Sequence, residues 1–138
     1  MSEAVMVPER APGFPLPGAD DVEFHLVRDG IVRAVLPKEA HLDMEAANRF
    51  GVQLSAYTGS WPVAVVLEVT GVASVSRAAR SVYCRIPSVS AWALVGESPV
   101  DRLIGHFLLG AEFSSGPARY FSSVDEALGW LTETTDVR

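Results

Sequence analysis

The 138-residue chain is poor in the residues that usually advertise site chemistry. It has one cysteine, Cys84, which excludes an intrachain disulfide and a cysteine cluster for zinc. That usage suits a reducing compartment, so a cytoplasmic location is expected. No apolar run reaches about eighteen residues, so no transmembrane helix and no membrane insertion are expected. No basic region precedes an apolar core near Met1, so no secretory leader is predicted. His25, His41 and His106 fall on different elements without H-E-x-x-H spacing. The step His41-Leu42-Asp43 is explained more simply by Asp43 as a helix cap than by a metal pair. There is no glycine-rich phosphate loop, and Thr70-Gly71 alone is too short to make one. Without paired acid–base groups no enzyme is expected, and no cofactor or metal with it. Positive charge is scarce too: the net charge is −6, and Lys38 is the lone lysine beside ten arginines. An acidic surface steers away nucleic acid and anionic membrane alike.

What the chain does have is a central stretch, Val63–Tyr83. Val63, Ala64, Val65, Val66, Leu67 and Val69 form a short β-branched run between Pro62 and Gly71. Such a run suits a strand covered on both faces, as in a parallel sheet. Glu68 interrupts it and is expected at the rim, because an unpaired buried carboxylate costs several kcal/mol. Past Gly71 the spacing turns helical, with Val75, Ala78, Ala79, Val82 and Tyr83 on one face. Ser74 or Ser76 caps this helix, and Ser76, Arg77, Arg80 and Ser81 fall on the other side. Two serines and two arginines thus gather where a central strand ends and a helix begins. In open α/β sheets ligands bind beyond the carboxyl ends of the strands, and helix N-termini favour anions. Capping alone also accounts for the serines, and solvation for the arginines.

Residues 1–19 hold four prolines and two glycines, which disfavour regular structure and predict a tail. Residues 20–138 are expected as one domain. Val22–Asp29 and Ile31–Leu36 read as a hairpin around Asp29-Gly30. Pro37–Leu42 reads as a loop. Asp43 caps a helix over Met44–Tyr57 with Met44, Ala47, Phe50 or Gly51, Leu54 and Tyr57 on its apolar side, and Gly59 closes it. Ser90–Val95 is a further strand. Ser98-Pro99-Val100-Asp101 opens a helix whose buried face is expected to be Val100, Leu103, Ile104, Phe107 and Leu108. Ala118–Phe121 is the last strand. Ser123 with Glu126 opens the last helix, with Val124, Ala127, Leu128 and Leu131 facing the core. Trp92 and Trp130 are expected in the core and Cys84 as a buried structural thiol. Trp61, before the central strand, is either an exposed anchor or packed under its loop. The order is ββαβαβαβα: an α/β sandwich with a mostly parallel sheet, an antiparallel N-terminal hairpin and helices packed on it.

This order, the strand-to-helix stretch LEVTGV and the ending RYFSSVDEALGWL together resemble the STAS-like group, the fold of bacterial anti-sigma-factor antagonists. The ending is similar to the F-x-s-x-e-e-A-l-x-W-L pattern of a branch of small bacterial proteins with that fold, and the resemblance runs from Val22 to Leu131. It implies a serine at the start of the helix after the central strand whose phosphorylation controls binding to a partner kinase. The family pattern is an acid at the strand end followed by Asp-Ser-Ser/Thr-Gly. Glu68 matches the acid, the Asp position falls near Ser76, and the phosphoserine position falls at Arg77. The Asp-Ser pair and its glycine are missing, so Arg77 implies a fixed positive group that holds an anion.

The resulting expectation is a non-enzymatic regulatory or interaction module. Its surface comprises Glu68, Thr70, Ser74, Ser76, Arg77 and Arg80, and it contacts a protein partner or a small anionic ligand. Self-association as a homodimer through an exposed helix face fits the same picture. The alternative is a carrier with an apolar pocket for a lipid-like ligand, its acid group paired by Arg77 or Arg80.

Overall fold

The computed structural model describes residues 22–111, 113 and 116–136, so the segment expected as a tail lies outside the described residues. Strands β1 (Glu23–Arg28) and β2 (Ile31–Val35) form the expected hairpin, turning at Gly30 with φ +84°. A short strand β3 (His41–Leu42) follows where a loop is expected from sequence. Asp43 then caps α1 (Met44–Thr58) by accepting from the Ala46 amide at 2.8 Å, and Gly59 closes it. The central strand β4 (Val63–Glu68) leads through β5 (Ser74–Val75) into α2 (Arg77–Tyr83). Strand β6 (Val89–Val95), helix α3 (Pro99–Leu108), strand β7 (Ala118–Phe121) and helix α4 (Val124–Asp136) complete the described chain. The expected order therefore stands, with the two-residue strands β3 and β5 added as a small parallel sheet.

The main sheet has the order β1-β2-β4-β6-β7, antiparallel only between β1 and β2. Strand position thus follows chain order without reversal. Because parallel crossovers are right-handed, α1, α2 and α3 must all lie on one face. Val32, Val65, Leu67, Trp92 and Leu94 point into that layer and meet Phe50, Leu54, Tyr83 and Leu108. The rings of Phe50, Tyr83 and Trp92 interlock, with centroids 5.3 to 6.3 Å apart. The other face carries Ile31, Val66 and Val95 beside Ala64, Ala91 and Ala93, and α4 lays Ala127 and Leu131 over it. Trp130 packs on Phe121 at 5.5 Å on this face and is half-buried there, while Trp92 is fully buried.

Three helix faces differ from the sequence pattern. Met44, at the first position of α1, is 53% exposed. In α2, Ala79 and Tyr83 are buried, and Ala78 faces solvent. The largest difference is in α3. Its core-facing stripe is Asp101, Gly105 and Leu108, while Val100 is 57% and Leu103 70% exposed. The cause is steric and polar together. A Cβ on Gly105 would stand 2.4 Å from the ring of Tyr120, so only glycine lets the helix lie against β7 there. The Asp101 carboxylate, in turn, is drawn inward by three backbone amides.

Candidate functional site

The candidate site lies where β4 ends. Thr70 is half-buried, and Gly71 follows at φ +79°, a left-handed conformation that glycine adopts without strain. The Gly71 carbonyl accepts from the Glu39 amide, and its own amide donates to Asp101 Oδ1 at 3.0 Å. The other Asp101 oxygen accepts from the Glu97 and Ser98 amides at 2.8 and 2.9 Å, and the Ser98 hydroxyl accepts from the Asp101 amide. Desolvation by burial pushes the Asp101 pKa up, and the hydrogen bonds from Ser98, Glu97 and Gly71 outweigh it, so the carboxyl sits below its ordinary value. One ionised side chain therefore holds the loop after β4 to the start of α3. The sequence signature Ser98-x-x-Asp101 announces the cap. The bond to Gly71, thirty residues away, leaves no local signal.

Ser74 and Ser76 take different roles. Ser76 is the N-cap of α2, accepting from the Ala79 amide at 3.0 Å. Ser74 is exposed on β5, with its Oγ 2.8 Å from His41 Nδ1 on the neighbouring β3. Arg77 is exposed at the first position of α2. Arg80 is engaged: it donates to the Phe107 carbonyl at 3.2 Å and its guanidinium lies 4.4 Å over the Phe107 ring. Arg80 thus ties α2 to α3 and is only half-exposed.

Glu68 stands apart from the other five. It shares a sheet face with Ala64 and Val66, opposite the α2 layer, and is paired there with Arg33 of β2. Its side chain is 13% exposed, so the carboxylate is compensated by an ion pair more than by water. Thr70, Ser74, Ser76, Arg77 and Arg80 lie on the stretch from the end of β4 into α2, and hydrogen bonds tie that stretch to His41, Asp101 and α3. Helix α3 packs against β5, α2, β6 and β7, and the Asp101–Gly71 bond sets its first turn, which carries Val100, beside the loop after β4. Among the described residues no group of three or more metal-ligating side chains converges. Cys84 is buried and donates to the Ser81 carbonyl at 3.3 Å. No described helix is long and apolar enough to cross a membrane.

A five-stranded sheet in chain order, with three crossover helices on one face and a terminal helix on the other, is a STAS-like fold. A crystal structure from Shewanella loihica PV-4, an uncharacterized protein of the DUF3478 family with a SpoIIAA-like fold, superposes at TM-score 0.51. The two share 15% identity, over 80% of this chain and 92% of the other. A protein of unknown function from Arthrobacter sp. FB24 is 34% identical over 80% of this chain and 98% of its own, with TM-score 0.33. No curated protein matches. Residues 24–135 match the family described as Domain of unknown function (DUF7793), and the chain belongs to that family.

Proposed function

We propose that the protein is a non-enzymatic interaction module that binds a protein partner through the loop and helix start after β4 together with the outer stripe of α3. The observation that carries this reading is the exposure of Val100 and Leu103. They are the apolar side of a well-capped helix turned to water, beside the half-buried Ile104 and Phe107. Such a patch next to polar groups marks an interaction surface. Ser74, Ser76 and Arg77 would border it. Thr70 would take part through its loop, and Arg80 by fixing α2 against α3. Glu68 would act from the opposite face, through its pair with Arg33, by holding the end of β4.

The strand order supports a flat surface. Ligand crevices in open sheets form where strand order reverses, and this sheet has no reversal. The centre of the space between sheet and helices, where a lipid-like ligand would sit, is filled by Phe50, Tyr83 and Trp92, and the cleft of about 260 Å³ at its β3–α1 edge carries Glu39, His41, Asp43, Glu45, Arg49 and Gln53 beside its apolar lining. The carrier reading therefore finds no support there. Regulation at the serines would fall on Ser74, because the Ser76 hydroxyl already serves as a cap.

The test is affinity capture from the source cells with wild type and Leu103→Asp, followed by measured affinity for the captured protein. A partner contacting this stripe loses about 30-fold or more in affinity, the loss expected of a central anchor. A partner held equally by both proteins sinks the proposal. Native mass spectrometry on the same material reads a covalent phosphate on Ser74 or a second copy of the chain directly.

A further inference from the structure

A second surface lies on the far side of α3, at the β7 edge of the sheet. Arg102 of α3 and Arg119 of β7 face a cleft of about 390 Å³ together with Tyr120, Phe121, Ser122 and Glu126. The two arginines come from opposite layers, since Tyr120 shares the helix-layer face with Leu94 and Arg119 shares the α4 face with Ala93. Each guanidinium lies against an aromatic ring, Arg102 over Tyr120 and Arg119 over Phe121, both at 5.4 Å. Stacking of this kind removes rotamer freedom before any ligand arrives. In a chain of net charge −6, neither arginine has a carboxylate partner among the described residues. Two exposed cations that line one cleft favour an anion placed there. Ser122 adds a hydroxyl at the lip, and β7 as an edge strand offers backbone donors.

We propose that this cleft binds a small oxyanion, a phosphate or carboxylate group gripped between Arg102 and Arg119 across the β7 edge. Glu126 lines the same cleft and repels a bare anion. It therefore weakens the grip on a bare anion and strengthens it for one that carries a hydroxyl or amine donor next to its acid group. The site uses Arg102 and the β7 edge, whereas the proposed partner surface uses Val100 and Leu103 of α3. Fork-shaped guanidinium pairs suit both phosphate and carboxylate, so the two sources are separated by experiment.

Amide and arginine Nε–H shifts of the full chain are followed during titration with inorganic phosphate and, separately, acetate, at constant ionic strength set by chloride. Saturable shifts at Tyr120, Ser122 and the two arginines are expected, with a Kd of about 1 mM. Arg102→Gln and Arg119→Gln should each weaken binding by about tenfold, and Glu126→Gln should strengthen it by about threefold. Saturation by phosphate alone assigns a phosphate ester, and saturation by both assigns any small oxyanion. Absence of saturation with either probe overturns the proposal, as does binding that survives both arginine substitutions. The two single variants are read separately, so a folding defect in one leaves the other to decide.

Discussion

Replacing Asp101 by alanine tests whether one side chain couples the loop after β4 to α3. Two of its three acceptor contacts belong to the start of α3, and losing such a cap costs about 1 kcal/mol. The third, to the Gly71 amide, is a hydrogen bond to a charged acceptor at a part-buried position, worth about 1.5–3 kcal/mol. The sum is about 3 kcal/mol, or a fall in Tm of about 10 °C for a domain of this size. Asp101→Asn should come within about 1 kcal/mol of alanine, because one carbonyl oxygen replaces two acceptors and the new NH2 faces amide donors. Urea unfolding followed by tryptophan fluorescence reads both variants. The pH dependence carries the sign. The folded-state pKa of Asp101 is depressed, so its contribution is present above the unfolded value of about 3.9 and is lost as pH falls through the lower folded value. Wild type should therefore lose stability below about pH 4, and Asp101→Asn should lose less over the same interval. A loss under about 1 kcal/mol in Asp101→Ala, or an unchanged acid slope in Asp101→Asn, would refute the coupling.

The two arginines at α2 should separate cleanly. Arg80→Ala removes a hydrogen bond and a ring contact and should cost about 1–2 kcal/mol by urea titration, while Arg77→Ala should stay within about 0.5 kcal/mol. Gly105→Ala pushes a methyl into the Tyr120 ring and should destabilise by about 1–3 kcal/mol despite alanine's better helix propensity; a gain in Tm would show that the ring gives way freely. Cys84, buried at 6% exposure, should resist an aromatic disulfide reagent in the folded protein and react at the rate of unfolding; rapid labelling in native buffer would contradict its placement.

The hairpin at Asp29-Gly30, the cap at Asp43, the stop at Gly59 and the continuous run of β4 are all written locally, and local patterning places them. The same holds for the right-handed parallel order, while the choice of Ser76 over Ser74 as the cap comes from the structure. What local patterning cannot supply is orientation. The apolar stripe of α3 is visible as a period, and so its burial is the natural expectation. Its actual direction is set by Gly105 against Tyr120 and by Asp101 reaching Gly71, both long-range contacts. Glu68 illustrates the same limit. It sits at the strand end as the acid of the family pattern does, yet the period-two alternation of β4 sends it to the α4 face with Arg33. Arg102 and Arg119 are seventeen positions apart and line one cleft only because α3 packs beside β7.

Because strand position follows chain order, the sheet can be assembled in the order of synthesis. Each parallel strand emerging from the ribosome docks beside its predecessor at the open edge, and none has to be threaded between two strands already paired. The face of Ala64, Ala91 and Ala93 is the last to be sealed, since α4 is translated after every strand beneath it. A nascent chain halted before Val124 would carry a complete sheet with one bare apolar side. The closing helix is therefore the step at which the newborn protein stops being adhesive.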